Sequence, residues 1–192
     1  LSSHPFRVTS DSHSFTAEAL IVATGASARW IGLPSEQTYV NRGVSACATC
    51  DGALYRGKPM AVVGGGDTAM EEALFLTRFA TVVHVIHRRD SLRASRIMAE
   101  RARRNPKIAF VWNSEVDEIL GDGKSVTGVQ VRDVNSGAVS RLDVQACFVA
   151  IGHKPNVELF AGQLELGPTG YLAVQPGTTR TNREGVFACG DV

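Results

Sequence analysis

Two cysteines stand two residues apart in Cys47-Ala48-Thr49-Cys50, and Asp51 and Gly52 follow directly. Side chains at i and i+3 meet on one turn if the segment is helical, so the pair can close into a small, readily reduced disulfide. Thiols in this spacing commonly ionise more easily than a free cysteine. The carboxyl of Asp51 can carry the proton that dithiol–disulfide exchange must move. Its other reading is structural, with Asp51-Gly52 forming a turn or capping a helix. A second motif follows in Gly64-Gly65-Gly66-Asp67-Thr68-Ala69. Gly64 permits a tight turn, Gly66 lets backbone approach a pyrophosphate, and Ala69 is small enough for a helix to pack on its strand. The N–H groups of the helix that opens at Asp67 and Thr68 would then face the phosphates. One motif takes up or releases an electron pair, and the other seats a carrier that moves electrons in pairs. Together they point to transfer of reducing equivalents from a nicotinamide to a disulfide.

The choice of nicotinamide follows from the end of the next strand. A site that prefers NAD usually has an acid there to grip the ribose 2′-hydroxyl. This chain instead reads His87-Arg88-Arg89-Asp90, with Arg93 beyond. Guanidinium groups bind a 2′-phosphate in bidentate fashion, which favours NADPH. Residues 88–104 hold seven arginines. Arg101, Arg103 and Arg104 read as a solvated face. No aromatic platform accompanies the charge, so nucleic acid is not expected as a partner. His4, His13, His84 and His153 stand in no comparable constellation and read as surface or packing residues.

The elements that must position these groups are legible as periodic runs. Met60–Val63 is a buried strand, Asp67–Phe79 a helix, Thr81–Ile86 a strand, Ala94–Arg104 a second helix and Ala109–Trp112 a third strand. Segments 116–120, 126–131 and 140–144 predict an antiparallel meander with turns at Gly121-Asp122-Gly123 and Asn135-Ser136-Gly137. Residues 147–151 close the region as a buried strand. Before it, Phe6–Thr9 alternates and Glu18–Gly25 reads as a short buried strand entering a glycine turn. Gly32-Leu33-Pro34 breaks that pattern, as a linker would. Residues 152–192 hold loops and short strands. The chain has 192 residues, 44% of them apolar, and a net charge of +1. That suffices for real cores and sets up no global field for nucleic acid or membrane. No apolar run is long enough to span a bilayer. Cys147 and Cys189 lie singly in apolar runs and are expected as buried free thiols. No second ligand pair at metal spacing accompanies the dithiol, so a metal site is not expected. A close redox pair suits a reducing compartment such as the cytoplasm. Both ends read as cuts in a longer polypeptide.

Residues 43–52, the glycine turn and His87-Arg88-Arg89 together closely resemble the low-molecular-weight NADPH-dependent thioredoxin reductases. Ala23-Thr24-Gly25-Ala26, residues 150–156 and residues 185–191 extend the resemblance over essentially the whole chain. It implies an α/β fold in which a Rossmann-like, three-layer NADPH domain is inserted into a partial FAD-binding domain. Residues 1–36 and 152–192 would belong to the latter and residues 37–151 to the former. It adds Ile151 and Gly152 to the NADPH residues and assigns Thr24, Gly25, Gly190 and Asp191 to FAD. Cys50 would face the flavin, Cys47 would attack thioredoxin, and Asp51 would be the acid–base group. In the family the NADPH domain turns relative to the flavin domain, and the whole protein is a homodimer. The segment that binds the FAD pyrophosphate would precede Leu1, so the fragment is expected to bind NADPH weakly or moderately and FAD poorly.

Two alternatives accompany this reading. The flavoprotein subunit of alkyl hydroperoxide reductase, acting on a peroxiredoxin, more often has bulkier residues and proline inside its dithiol motif than Ala48-Thr49. A non-catalytic NADP(H)-binding redox sensor would oxidise its dithiol without coupling to NADPH.

Overall fold

The structure is a computed structural model, and it describes residues 4–192. The chain forms two compact units, one of residues up to Ser27 plus His153–Val192, the other Ala28–Gly152. In chain order the strands of the first stretch are β1 (Phe6–Thr9), β2 (Ser14–Ala17), β3 (Leu20–Val22) and β4 (Ala26–Ala28). The second unit continues with α1 (Pro34–Tyr39), β5 (Val44–Ser45), α2 (Ala48–Asp51), β6 (Met60–Val63), α3 (Asp67–Leu76), β7 (Val83–Ile86) and α4 (Arg96–Arg104). Then come β8 (Ile108–Val111), β9 (Ser114–Gly121), β10 (Val126–Asp133), β11 (Val139–Leu142) and β12 (Ala146–Val149), and finally β13 (His153–Pro155) and β14 (Val186–Ala188).

The second unit has three layers. Its middle is a parallel sheet in the order β5-β12-β6-β7-β8. A parallel sheet is covered on both faces, which is why its strands read as continuous apolar runs. Alternate residues divide between those faces. Met60, Val62, Val83, Val85, Ala146 and Phe148 pack with Ala69, Met70, Ala73 and Leu76 of α3. Ala61, Ile86, Cys147 and Val149 pack with Val116, Ile119, Val129 and Val131 of the antiparallel sheet β11-β10-β9. At about 25 cal/mol per Å2 of apolar surface, these two interfaces supply most of the drive to fold. The other unit is smaller. Its hairpin β1–β2 is antiparallel, β3 pairs in parallel with β14, and β4 pairs with β13 around a core of Phe6, Val22, Leu164, Leu172 and Val186.

Several expectations are corrected. The segment at Gly32-Leu33-Pro34 is no linker. Proline at the first position of α1 needs no N–H there, and its fixed φ starts the helix. Trp30, Ile31 and Leu33 then pack against the core of the second unit. Helix α3 ends at Leu76 rather than Phe79, because Phe79 and Ala80 both donate to Leu76 O in a tightened last turn. The second helix begins at Arg96, not Ala94, since Ser95 is held in a non-helical conformation at the N-cap, with its N–H and hydroxyl bonded to Asp67 Oδ1. Strand β3 is shorter than expected and leaves Ile21 exposed, with only Val22 buried. Cys147 is buried as anticipated, and burial with the nearby Glu36 charge pushes its thiol up to about 12. Cys189 is exposed, contrary to expectation, because it follows the end of β14 rather than lying within it.

Candidate active site

The glycine turn lies at the carboxyl ends of the parallel strands, between β6 and α3. Gly64 has φ +148°, and a Cβ there would overlap the backbone of Ala150. Gly65 has a different constraint, since a Cβ there would clash with the imidazole of His87, 2.6 Å from Nε2 and closer still to Nδ1 and Cε1. A Cβ on Gly66 would meet nothing within 4 Å, so this backbone faces open space. Ala69 is fully buried against the sheet, as its place in the motif requires. The open space belongs to a cleft of about 660 Å3 lined by Gly64, Gly65, Gly66, Thr68, His87, Arg88, Arg89, Arg93, Ile151 and Gly152. Its size is that of an ordinary cofactor site. Its position, where the chain leaves β6 toward neighbours on both sides, is where open α/β sheets bind ligands.

Within the cleft the residues play different parts. His87 is 7% exposed, and its Nε2 lies 3.0 Å from Ser91 O. A carbonyl can only accept, so Nε2 carries the proton. Burial first of all lowers the imidazole's pKa, and Arg89, Arg88 and Arg93 lower it further against the Ser91 contact. His87 therefore shapes the 87–93 loop from inside as a neutral ring. Arg88, Arg89 and Arg93 are exposed, and none is in a side-chain ion pair among the described residues. Arg93 N and Ala94 N donate to Gly65 O at 2.7 and 3.0 Å, tying this loop to the glycine turn. Asp67 is committed elsewhere: its Oδ1 accepts from both Ser95 N and Ser95 Oγ at 2.8 Å, joining the start of α3 to the start of α4. Arg29, Ile31 and Ser114–Val116 also line the cleft. The sequence reasoning missed them, because they come from the segment before α1 and from the meander and carry no motif.

Cys47 and Cys50 are joined in a disulfide with Cα atoms 5.3 Å apart. Cys47 is the N-cap of α2, and its Sγ accepts from Cys50 N at 3.3 Å. Ser45 Oγ in turn accepts from Cys47 N at 3.0 Å, anchoring the pair to β5. Cys50 is the more exposed partner. Asp51 stands at the N-cap of the short 3-10 turn Gly52–Tyr55 without a side-chain cap hydrogen bond, while Gly52 is the C-cap of α2 and donates its N–H to Ala48 O. Its charge is felt at Tyr55, whose hydroxyl is held above its ordinary pKa by burial and then by Asp51. Gly52 is a packing glycine, since a Cβ there would press to 2.5 Å from Leu76 Cδ2 of α3.

In the other unit, Thr24–Gly25 and Cys189–Gly190–Asp191 leave the ends of the paired parallel strands β3 and β14 side by side, with Cys189 N donating to Val22 O at 3.0 Å. Gly25 and Gly190 have φ +71° and +81°, and a Cβ on either would meet only open space. Asn156 fixes the first loop by bonding Thr24 O, Thr24 Oγ1 and Ser27 Oγ. A second cavity in this unit, about 1100 Å3 between the Phe6 and Arg180–Phe187 regions, includes none of these residues.

The Pyridine nucleotide-disulphide oxidoreductase family matches residues 3–192. Thioredoxin reductase of Vibrio cholerae is 51% identical over all of this chain and 62% of its own length. A Pseudomonas fluorescens protein named glucosaminate ammonia-lyase is 51% identical over 98% of this chain and 60% of its own length. Among solved structures, Lactococcus lactis thioredoxin reductase superposes with a TM-score of 0.85 at 39% identity, covering 96% of this chain and 61% of that one. The chain thus spans about three fifths of the length of the relatives it matches.

Proposed function

This chain belongs to the pyridine nucleotide-disulphide oxidoreductase family, and from that premise we propose that it is the part of an NADPH-dependent thioredoxin reductase that carries the nicotinamide seat and the redox disulfide. The observation that carries the reading is the presence, on one compact unit, of the Cys47–Cys50 disulfide and an arginine-rimmed cleft over a glycine turn.

The unit Ala28–Gly152 acts as the NADPH domain, starting earlier than residue 37 because Trp30, Ile31 and Leu33 pack in its core. Gly64 permits the tight turn against Ala150, Gly66 keeps the cleft floor free of a side chain, and the first turn of α3, with Asp67, Thr68 and Ala69, presents N–H groups to the phosphates. Arg88, Arg89 and Arg93 hold the 2′-phosphate, His87 supports their loop, and Ile151 and Gly152 line the far wall. Charge-assisted hydrogen bonds of about 1.5–3 kcal/mol each give roughly 10- to 100-fold preference for NADPH per contact.

The residues up to Ser27 and His153–Val192 contribute to an FAD site. Thr24, Gly25, Gly190 and Asp191 fit that role, because two glycine-bearing loops meet at the carboxyl ends of paired parallel strands with open space above both. Bound FAD supplies two-electron exchange between nicotinamide and disulfide. Cys50 would be the sulfur offered to it, Cys47 attacks oxidised thioredoxin, and Asp51, whose side chain makes no cap hydrogen bond, moves the proton. The net change is NADPH plus H+ plus a disulfide giving NADP+ plus a dithiol. The complete protein is a cytoplasmic homodimer. An ammonia elimination transfers no reducing equivalents and leaves the disulfide without a task, so the name of the Pseudomonas relative is not carried over.

The test uses the full-length protein and follows NADPH oxidation by oxidised thioredoxin. Cys47→Ser and Cys50→Ser should each abolish turnover. Activity that survives either substitution sinks the mechanism, and a dithiol that cycles without consuming NADPH indicates a redox sensor instead.

A further inference from the structure

Among the described residues one buried side-chain oxygen has no hydrogen-bond partner, Oε2 of Glu72. Glu72 lies on α3, the helix on which α2 is seated through Gly52 and Leu76. Its carboxyl accepts from the backbone N–H of Ala48, the residue between Cys47 and the rest of the dithiol turn. A carboxylate with one oxygen on that N–H and the other buried without a donor is poorly solvated as an anion, and a proton on Oε2 would relieve it.

We propose that Glu72 is a positioning residue for the dithiol: through Ala48 it holds the Cys47–Cys50 turn on α3, and its proton occupancy is linked to the redox state of that pair. The proposal rests on reading Cys47–Cys50 as the redox centre. Reduction of the disulfide takes up two electrons, from NADPH in the proposed reaction, and two protons if both sulfurs end as thiols. When one sulfur remains a thiolate, only one proton goes to sulfur. The new negative charge on the turn that Glu72 holds then favours protonation of its carboxyl, and a neutral Glu72 in turn favours the thiolate. Consistently, burial raises Glu72 from 4.5 to about 7, opposed only in part by the Ala48 N–H, which puts its titration in the working range.

The other ionisable groups on elements packed against α3 are few in kind. The dithiol turn and its continuation bring Asp51 and Tyr55, β7 brings His84, and β6 brings none. Helix α4 brings Glu100 within its own ion pairs to Arg96 and Arg104, and its remaining arginines. On α3 itself Glu71 is exposed and Asp67 is bonded to Ser95. None of these supplies Glu72 with a counter-charge; its shift comes from burial against the Ala48 bond.

The experiment takes the full-length protein with its flavin and equilibrates the Cys47–Cys50 pair against a dithiothreitol redox buffer at a series of pH values. The wild type should show a bend near neutral pH in the plot of reduction potential against pH, and Glu72→Gln should lose that bend while keeping the Ala48 acceptor. Parallel wild-type and Glu72→Gln profiles overturn the proposal. Should Glu72→Gln fail to fold, reduced-minus-oxidised infrared difference spectra of the wild type near pH 7 decide it. A gain of a protonated-carboxyl band on reduction supports the linkage, and no carboxyl change refutes it. Because dithiothreitol reduces the pair without NADPH, these outcomes are separate from a failure of the proposed overall reaction.

Discussion

Replacing Gly65 by alanine tests whether His87 and the glycine turn form one unit. The added Cβ would clash with the His87 ring, 2.6 Å from Nε2 and closer still to Nδ1 and Cε1, and the ring cannot simply rotate away. It is 7% exposed, edge-on to Trp112, and donates to Ser91 O at 3.0 Å. Overpacking at such a site costs about 1–3 kcal/mol. Relief requires moving residues 87–93, and with them Arg88, Arg89 and Arg93. The cost should therefore appear twice, as lower thermal stability and as NADPH affinity weakened roughly 5- to 150-fold. Fluorescence titration with NADPH and thermal melts read the two effects. Removing the ring with His87→Ala in the Gly65→Ala background should restore at least half of the lost affinity and stability, as contacting residues couple in a double-mutant cycle. Wild-type behaviour of Gly65→Ala, or strictly additive losses in the double variant, refutes the reasoning. Gly64→Ala makes a useful contrast, because its obstacle is the Ala150 backbone and no side-chain deletion can relieve it.

Three further predictions follow from the site and its surroundings. Neutralising Arg88 and Arg89 together should weaken NADPH far more than NADH, by roughly 10- to 100-fold per contact; equal losses for both nucleotides remove the 2′-phosphate role. With the dithiol oxidised, iodoacetamide near pH 8 should label Cys189 readily and leave Cys147 unlabelled until the unit unfolds, given the burial that raises the Cys147 thiol to about 12; rapid Cys147 labelling in the native state contradicts its packing. Glu72 should also make stability pH-dependent. Its carboxyl ionises near 4.5 when unfolded and near 7 when folded, so between those values the folded state holds more protons and unfolding free energy falls as pH rises. Urea melts from pH 4.5 to 8 should show that decline in the wild type and a flatter profile in Glu72→Gln, and identical slopes would argue against the shift.

The chemistry of this protein was legible from local spacing. Cys47–Cys50, the glycine turn and the arginines after β7 are short motifs whose chemistry depends on neighbours in sequence, and the apolar runs of β6, β7 and β12 announce a sheet covered on both faces. A reading by spacing also ran past the end of α3 and the start of α4, because the last turn of α3 tightens onto Leu76 O and the bond to Asp67 holds Ser95 out of the helix.

What the chain alone determined, then, is the pairing of a disulfide with a dinucleotide seat. Tertiary structure decided which groups remain free to act. Asp67 looks like a phosphate-turn residue but its carboxyl is bonded to Ser95, 28 residues away, while Asp51 stands at a cap position and makes no side-chain cap hydrogen bond. His87 reads as a ligand beside two arginines and turns out to be the packed ring that requires glycine at 65. Glu72 shows no motif at all; its carboxyl is notable only because α2 lands on α3 and leaves one oxygen buried without a donor. Each of these outcomes depends on which long-range partner reaches a polar group first, and on whether water is excluded when it arrives. Neither is encoded in the spacing of neighbours along the chain.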